Sequence, residues 1–597
     1  MSNKGLSVTQ KNTVIDSIAM CIQCARLALY SENSCSFQQA DTMVRVLCFV
    51  LLENEDIKIE TISDLVKDDI VSELIKYYAL NECSELVLGF EHVSKIKEIP
   101  AWKELLIYAF EAFEYKPEEF INSEIKRGVH TVQGKRGGGI FYTPQDVVRY
   151  MLDECSNKMF WSKRTCLDCS CGTGAFLVEI IQRICDEQNS LQGVLNVIER
   201  CVWGIDISPN AVINCRFVLQ MYLIHRMEAK EKDVRRMLGI FEKNIVQGDA
   251  LHLFDTIKKN NMPKQYSCII GNPPYISMNT VGNSFIPFVY NMIDFSSADG
   301  CSSLVVPLSV CTGKAKPYKQ LRNRIKTDCN SWKIINFDRS PDSLFGDHVK
   351  TRNTILVRKT PITEKKVSVS GLIRWTADKR DKLFENIQTT TIDDLPMVDS
   401  IPKISEDFER ELLYALSRKQ QKLSDSMDEK YKAAMYANAT AYNWINVFDH
   451  IPASKDESGN LYVPDSLMKI GFSTENDLYF YIAMISNRIT YWLWTLYGDG
   501  FHVYKDFILN LPYGKDNYSE GFFNTMADLG KHYVLKAKTY PCKSFNCGKE
   551  IINYDFTRCF DIVEEIETIL NYEIGGSPKN VKKISKWYDY HINCGRK

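Results

Sequence analysis

Residues 271–278 read GNPPYISM, directly after the apolar run YSCII. A proline pair cannot continue a helix or donate to a sheet ladder, so a strand ending at Ile270 gives way there to a stiff loop. The four residues Asn272, Pro273, Pro274 and Tyr275 suit one kind of chemistry. An amino group conjugated to a ring is a poor nucleophile, because its lone pair is shared with the π-system. Two acceptors aimed at its hydrogens, the Asn272 side-chain oxygen and the Pro273 carbonyl, draw that nitrogen toward tetrahedral geometry and free the pair. Tyr275 is placed to stack on the ring, as aromatics do for extruded bases. The prolines hold the acceptors rigid, which is the preorganisation such catalysis needs.

Three more short apolar runs end in groups a ligand can use. LDCSCGTGAFLVEII puts Gly172 and Gly174 in a tight turn before a helix opening at Ala175, where backbone amides and the helix N-terminus favour negative charge such as a carboxylate. Alone, a glycine pair is as readily a plain turn. GIDIS carries Asp206, an acceptor for both hydroxyls of a ribose, while the cap of the helix PNAVINCRFVLQ falls more naturally to Ser208. QGDAL places Asp249 where it can accept from an adenine amino group.

These residues need a frame. RTCLDCS, CVWGIDIS, NIVQGDAL, YSCIIGN, CSSLVVPLSV, WKIINFDRS and TRNTILVRK alternate with helical patterns, which predicts an α/β, doubly wound sheet with ligands at the carboxyl ends of its strands. Ahead of them, ADTMVRVLCFVLL and AWKELLIYAFEAFEY repeat apolar residues three and four apart, predicting a helical N-terminal domain over 1–125. GKRGGGI at 134–140 breaks that periodicity, and the catalytic domain is expected over 126–385. Beyond it, 386–597 is aromatic and irregular and reads as a third, mixed α+β unit.

At 597 residues the chain is too long for one core. Its net charge of −2 means that a nucleic-acid partner must be held by a local basic surface. No run reaches the length of a membrane span, and MVRVLCFVLLEN carries Arg45. MSNKGLSVTQKN lacks the apolar core of a signal peptide, so a cytoplasmic protein is expected. Among 20 cysteines, Cys21 and Cys24 sit in an apolar helical stretch, and only 9 histidines are available as co-ligands; we expect no metal site.

Taken together, the motifs resemble the N6-adenine DNA methyltransferases of restriction-modification systems in their gamma arrangement, in which cofactor motifs precede NPPY and a target recognition domain follows. The resemblance extends over about residues 130–385. It implies a Rossmann-like methyltransferase sheet, S-adenosylmethionine as cofactor, double-stranded DNA as partner, and a cognate restriction endonuclease encoded separately. GGGIFYTPQDVV at 137–148 matches the family's cofactor-carboxylate motif, implying Thr143 as a ligand of the methionine part, with Tyr142 and Pro144 shaping the pocket. Asp168, Gly172 and Gly174 carry over as cofactor contacts, Asp206 as the ribose acceptor and Asp249 as the adenine acceptor. One departure is Cys169, where the family has proline. SGLIRWTADKRDKLF resembles the segment whose aromatic covers the other face of the flipped base, which nominates Trp375 over the alternative of a core tryptophan. In the C-terminal unit Arg488, His502 and Lys505 are candidates for contacts to DNA, while TYWLWTLY reads as core.

Competing readings are a fused nuclease using Asp342, Glu364 and Lys366, a methyltransferase acting on another amide or amino group, and a non-catalytic DNA-binding subunit. The first falls inside the sheet, and an intact NPPY argues against the last.

Overall fold

A computed structural model describes residues 6–594 apart from 31–35, 60–61, 79, 81–85, 118–142, 157–158, 279–281, 347–350, 396–398, 465–466 and 547. The chain divides into two compact units. One comprises Met1–Val310, Ala315–Ser368 and Ala377–Asn386; the other comprises Cys311–Lys314, Val369–Thr376 and Ile387–Lys597.

All seven apolar runs form strands of the first unit: β1 (Cys166–Asp168), β2 (Val202–Asp206), β3 (Ile245–Gln247), β4 (Cys268–Gly271), β5 (Cys301–Pro307), β6 (Ser331–Phe337) and β7 (Asn353–Lys359). Their spatial order is β6-β7-β5-β4-β1-β2-β3. Strands β1 to β5 pair in parallel, whereas β7 runs antiparallel between β5 and β6. Every residue of β1, β4 and β5 is buried, which is why these strands read as continuous apolar runs without alternation. The strand order reverses between β1 and β4, and a parallel sheet opens its ligand crevice at such a reversal.

The N-terminal helices Val8–Tyr30 and Phe37–Glu53 share this unit with the sheet; the sequence suggested a separate domain. Long-range polar contacts account for the difference. Buried Arg45 donates from Nε to Asn214 Oδ1 at 2.8 Å, and its guanidinium lies 4.0 Å from the centre of the Phe113 ring. Asn214, on the helix Pro209–Met227, donates onward to the Phe110 carbonyl at 2.9 Å. Arg26 pairs with Asp41 at 2.7 Å and donates to the carbonyls of Ala112 and Tyr115 at 3.2 and 2.7 Å. The short 3-10 turn Phe110–Glu114 is thus clamped between the first helix and the helix that follows β2.

Helix Val8–Tyr30 is long and apolar enough to pass as a membrane span by hydropathy, a match that the run-length reading missed. Its Gln23 and Arg26 are nonetheless buried and hydrogen-bonded to carbonyls of the same unit, as in a core helix.

The second unit has an antiparallel sheet of Ala433–Asn438, Val447–Phe448 and Leu467–Phe472, and a four-stranded sheet that includes the hairpin Pro541–Asn546 and Lys549–Tyr554. Helices Glu475–Ile485 and Glu520–Ala537 pack closely: a Cβ at Gly530 would lie 2.0 Å from the Tyr479 carbonyl oxygen. Tyr491, Trp492 and Trp494 are buried, so TYWLWTLY is core.

Candidate active site

The carboxyl ends of β1, β2, β3 and β4 surround a cleft of about 330 Å³. Its lining includes Thr143, Asp168, Gly172, Asp206, Asp249, Asn272 and Pro274, seven of the residues nominated from sequence. Tyr142 lies outside the described residues.

The glycine turn is built as the sequence suggests. Gly172 and Gly174 have φ of 51° and 94°, left-handed values that favour glycine. A Cβ at Gly174 would also strike Cys215 Sγ at 2.9 Å, whereas at Gly172 it would meet no atom of the described residues within 4 Å, so that side of the turn faces open space. The Gly172 N–H donates to Asp206 Oδ2 at 2.9 Å, and the Ser208 N–H donates to Asp206 Oδ1 at 3.0 Å. Ser208 Oγ accepts from the Ala211 N–H and caps the helix, which leaves Asp206 to the cleft. Asp249 Oδ1 accepts from the Leu251 N–H at 2.8 Å, fixing the turn after β3.

Burial dominates the electrostatics. Asp168 is 1% exposed; Oδ1 accepts from the Ser170 N–H at 3.0 Å, and Oδ2 is buried with no hydrogen-bond partner among the described residues. Desolvation pushes its pKa up to about 8, with the nearby Asp206 charge adding to the rise. Burial raises Asp206 as well, partly offset by the amides of Ser208 and Gly172. A buried carboxylate oxygen without a partner is a costly arrangement that a cationic or hydroxylic ligand relieves. The residues present therefore fit a cofactor with an amino group, a ribose and an adenine.

The NPPY loop leaves β4 beside this cleft. Asn272 Nδ2 donates to Thr143 Oγ1 at 3.1 Å, which orients the amide and ties the loop to the segment before the helix Gln145–Glu154. The Tyr275 hydroxyl lies 2.7 Å from Asn272 Oδ1 and 3.1 Å from the Val305 carbonyl oxygen, and accepts from Asn353 Nδ2 at 3.4 Å. Sequence reasoning gave Tyr275 a stacking role only; here its hydroxyl also sits on the acceptor assigned to the amino group. The Val305 carbonyl offers that hydroxyl a second acceptor. Ser284 Oγ donates to the Pro274 carbonyl and accepts from the Ile276 N–H at 2.9 Å, pinning the loop from behind.

Several lining residues had no signal in the sequence. Ser284 follows NPPY with no recognisable spacing, and Tyr108, Glu111 and Glu114 come from a helical segment that reads as ordinary amphipathic pattern. Ile207 lines the cleft while 69% exposed, an apolar wall beside Asp206 that a planar ring can cover.

The remaining nominated residues belong to the second unit. Trp375 is 3% exposed there. Arg488 is not a surface contact: it is buried, paired with Glu567 at 2.6 Å and bonded to Ser585 Oγ at 2.7 Å. Glu567 is completely buried, and removing its cation would strand a charge inside the unit. His502 and Lys505 are exposed, with His502 Nδ1 2.7 Å from Asp499 Oδ2.

No curated protein matches the chain by sequence. Among solved structures, the Type IIL restriction-modification enzyme MmeI in complex with DNA aligns with a TM-score of 0.55 at 9% identity, covering 99% of this chain and 100% of that one. The DrdV–DNA complex aligns at 0.49 and 12% identity over 88% of this chain and 72% of that one. The Type ISP restriction-modification enzyme LlaBIII bound to DNA aligns at 0.45 and 11% identity; this chain covers 57% of its length. At such identities the likeness is one of fold. The sheet is doubly wound, and residues 200–345, from β2 through the NPPY loop to the turn before β7, match the family model described as Eco57I restriction-modification methylase.

Proposed function

We propose that this protein is a site-specific DNA methyltransferase that transfers a methyl group from S-adenosylmethionine to N6 of an adenine flipped out of double-stranded DNA, as the modification enzyme of a restriction-modification system. The observation that carries this reading is the direct link between the two halves of the site. Asn272 of NPPY is hydrogen-bonded to Thr143, and both line the cleft that also holds Asp168, Asp206 and Asp249. The restriction-modification methylase match over residues 200–345 supports the substrate class.

The cofactor supplies an electrophilic methyl group on a sulfonium. The protein does the rest. Asn272 Oδ1 and the Pro273 carbonyl accept the two amino hydrogens and turn the nitrogen lone pair outward. Thr143 fixes the rotamer of that amide, and Ser284 stiffens the loop so that the acceptors need no reorganisation. The glycine turn, Asp206 and Asp249 position the donor; Tyr275 is assigned to one face of the base.

Transfer of label from S-adenosylmethionine to adenine of plasmid DNA tests the reaction, and methylation-sensitive sequencing of DNA from expressing cells identifies the site. Label on cytosine, on protein or nowhere would refute it. Target choice is assigned to 386–597, where His502, Lys505 and the exposed Lys579, Lys582, Lys583 and Lys586 offer contacts to bases or phosphates. Exchanging 386–597 with the equivalent part of a related enzyme is expected to change the methylated sequence; persistence of the original site would move recognition elsewhere.

Asp206→Ala is expected to weaken S-adenosylmethionine binding about tenfold or more, the range of a hydrogen bond to a charged group, without altering which DNA sequence is methylated. Part of that loss comes through the Gly172 amide it holds. Unchanged affinity by calorimetry would remove the ribose assignment.

A further inference from the structure

Glu114 stands more than fifty residues before β1, in a segment with no cofactor motif, yet it lines the cleft. Its Oε2 accepts from Ser208 Oγ at 2.7 Å, while its Oε1 is buried with no hydrogen-bond partner among the described residues. The same Ser208 donates its N–H to Asp206 at 3.0 Å. The two carboxylates are therefore held on one residue and flank one stretch of the cleft. Two neighbouring carboxylates that keep acceptor capacity match a group with two adjacent O–H donors.

We infer that Glu114 is a cofactor-binding residue: its carboxylate closes the ribose end of the cleft beside Asp206 and accepts one hydroxyl of the ribose diol. The inference rests on the cofactor reading above and adds to it a residue from the N-terminal helical segment. Three observations support the assignment. The turn bearing Glu114 is fixed by the protein on two sides, since Arg26 holds the carbonyls of Ala112 and Tyr115 while Asn210 and Asn214 hold those of Phe113 and Phe110. Such clamping places the carboxylate before any ligand arrives, the preorganisation that binding rewards. An unpartnered buried carboxylate oxygen is destabilising unless a donor reaches it, and no donor in the described residues does. Burial and the Asp206 charge both disfavour ionisation of Glu114, so a hydroxyl donor relieves a tension that the ligand-free site carries.

The role predicts what N-terminal deletions do. Removing residues 1–117 is expected to abolish cofactor binding, through loss of a pocket wall as well as of packing. The sharper test uses the full chain and calorimetry with S-adenosylhomocysteine, alongside its 2′-deoxy and 3′-deoxy ribose forms. Glu114→Ala is expected to weaken S-adenosylhomocysteine about tenfold or more. Against the one deoxy form that lacks the contacted hydroxyl, wild type and Glu114→Ala should bind equally. Glu114→Gln, which keeps the side chain's size and its bond to Ser208, should show a smaller loss with the same dependence on the hydroxyl. Equal losses against all three ligands would overturn the inference and leave Glu114 as packing. So would unchanged affinity for S-adenosylhomocysteine in Glu114→Ala. Failure of wild type to bind S-adenosylhomocysteine at all would instead refute the methyltransferase reading.

Discussion

Asn272→Ala is expected to cut methyl transfer about 100-fold or more, the usual consequence of losing one preorganised acceptor or donor at a reacting centre. Affinity for S-adenosylmethionine should stay nearly unchanged, because Asn272 is assigned to the amino group of the base and its amide nitrogen is held by the Thr143 hydroxyl. Single-turnover measurement with saturating DNA and cofactor isolates the step. Tyr275 sharpens the interpretation. Tyr275→Phe removes the hydroxyl that sits on Asn272 Oδ1 and on the Val305 carbonyl, and keeps the ring. One neutral hydrogen bond changes rates by less than about tenfold, in either direction. Tyr275→Ala removes the ring, and lost stacking is worth roughly 5- to 100-fold. If the Phe variant were as impaired as the Ala variant, the hydroxyl and not the ring would be the functional group. Near-wild-type turnover by Asn272→Ala would end the catalytic assignment.

Asp168→Asn should raise stability and lose binding in the same molecule. The carboxyl ionises near 3.8 in an unfolded chain and is pushed up to about 8 in the ligand-free fold. Between those values the folded state holds a proton that the unfolded state has released, so stability falls as pH rises, by at most about 1.4 kcal/mol per pH unit for one group. Above about 8 both states are ionised, and the full penalty of the buried charge is present. Asparagine cannot ionise. Melting temperatures of the variant should therefore fall less steeply between pH 5 and 8 and exceed those of the parent at pH 8, while its affinity for S-adenosylmethionine drops. Parallel pH profiles for the two proteins would mean that Asp168 is ionised in the free site.

The strands and their terminal residues were legible because each is a local pattern. A buried run such as CIIG or CSSLVVP, followed by a turn, reads as a strand in isolation, and NPPY, GTG, GIDIS and QGDAL each carry their meaning within a few residues. What was hidden depends on partners distant in sequence. Arg488 opens a helix in a polar context, and nothing nearby shows that Glu567 will bury it. Glu114 looks like one of several acidic residues in AFEYKPEEF; only the clamp by Arg26, Asn210 and Asn214 turns it toward function. The same contacts explain why helices that read as a separate domain share a unit with the sheet.

The N-terminal helix has a further consequence, during synthesis. Asn12 donates to the carbonyl of Phe345, 333 residues later, and Arg45 waits 169 residues for Asn214. At about 5–20 residues per second, the first helix emerges from the ribosome roughly 15 to 70 s before its last partner. Through that interval only the first turns of the helix, around Val8 and Asn12, lack their partner, because Gln23 and Arg26 find Asp41, Ala112 and Tyr115 within the first 115 residues. The helical segment can thus fold on itself as it emerges and meet the sheet as a preformed piece, and a circular permutant that begins after the sheet would shorten only the wait of Asn12 and Arg45 for their partners.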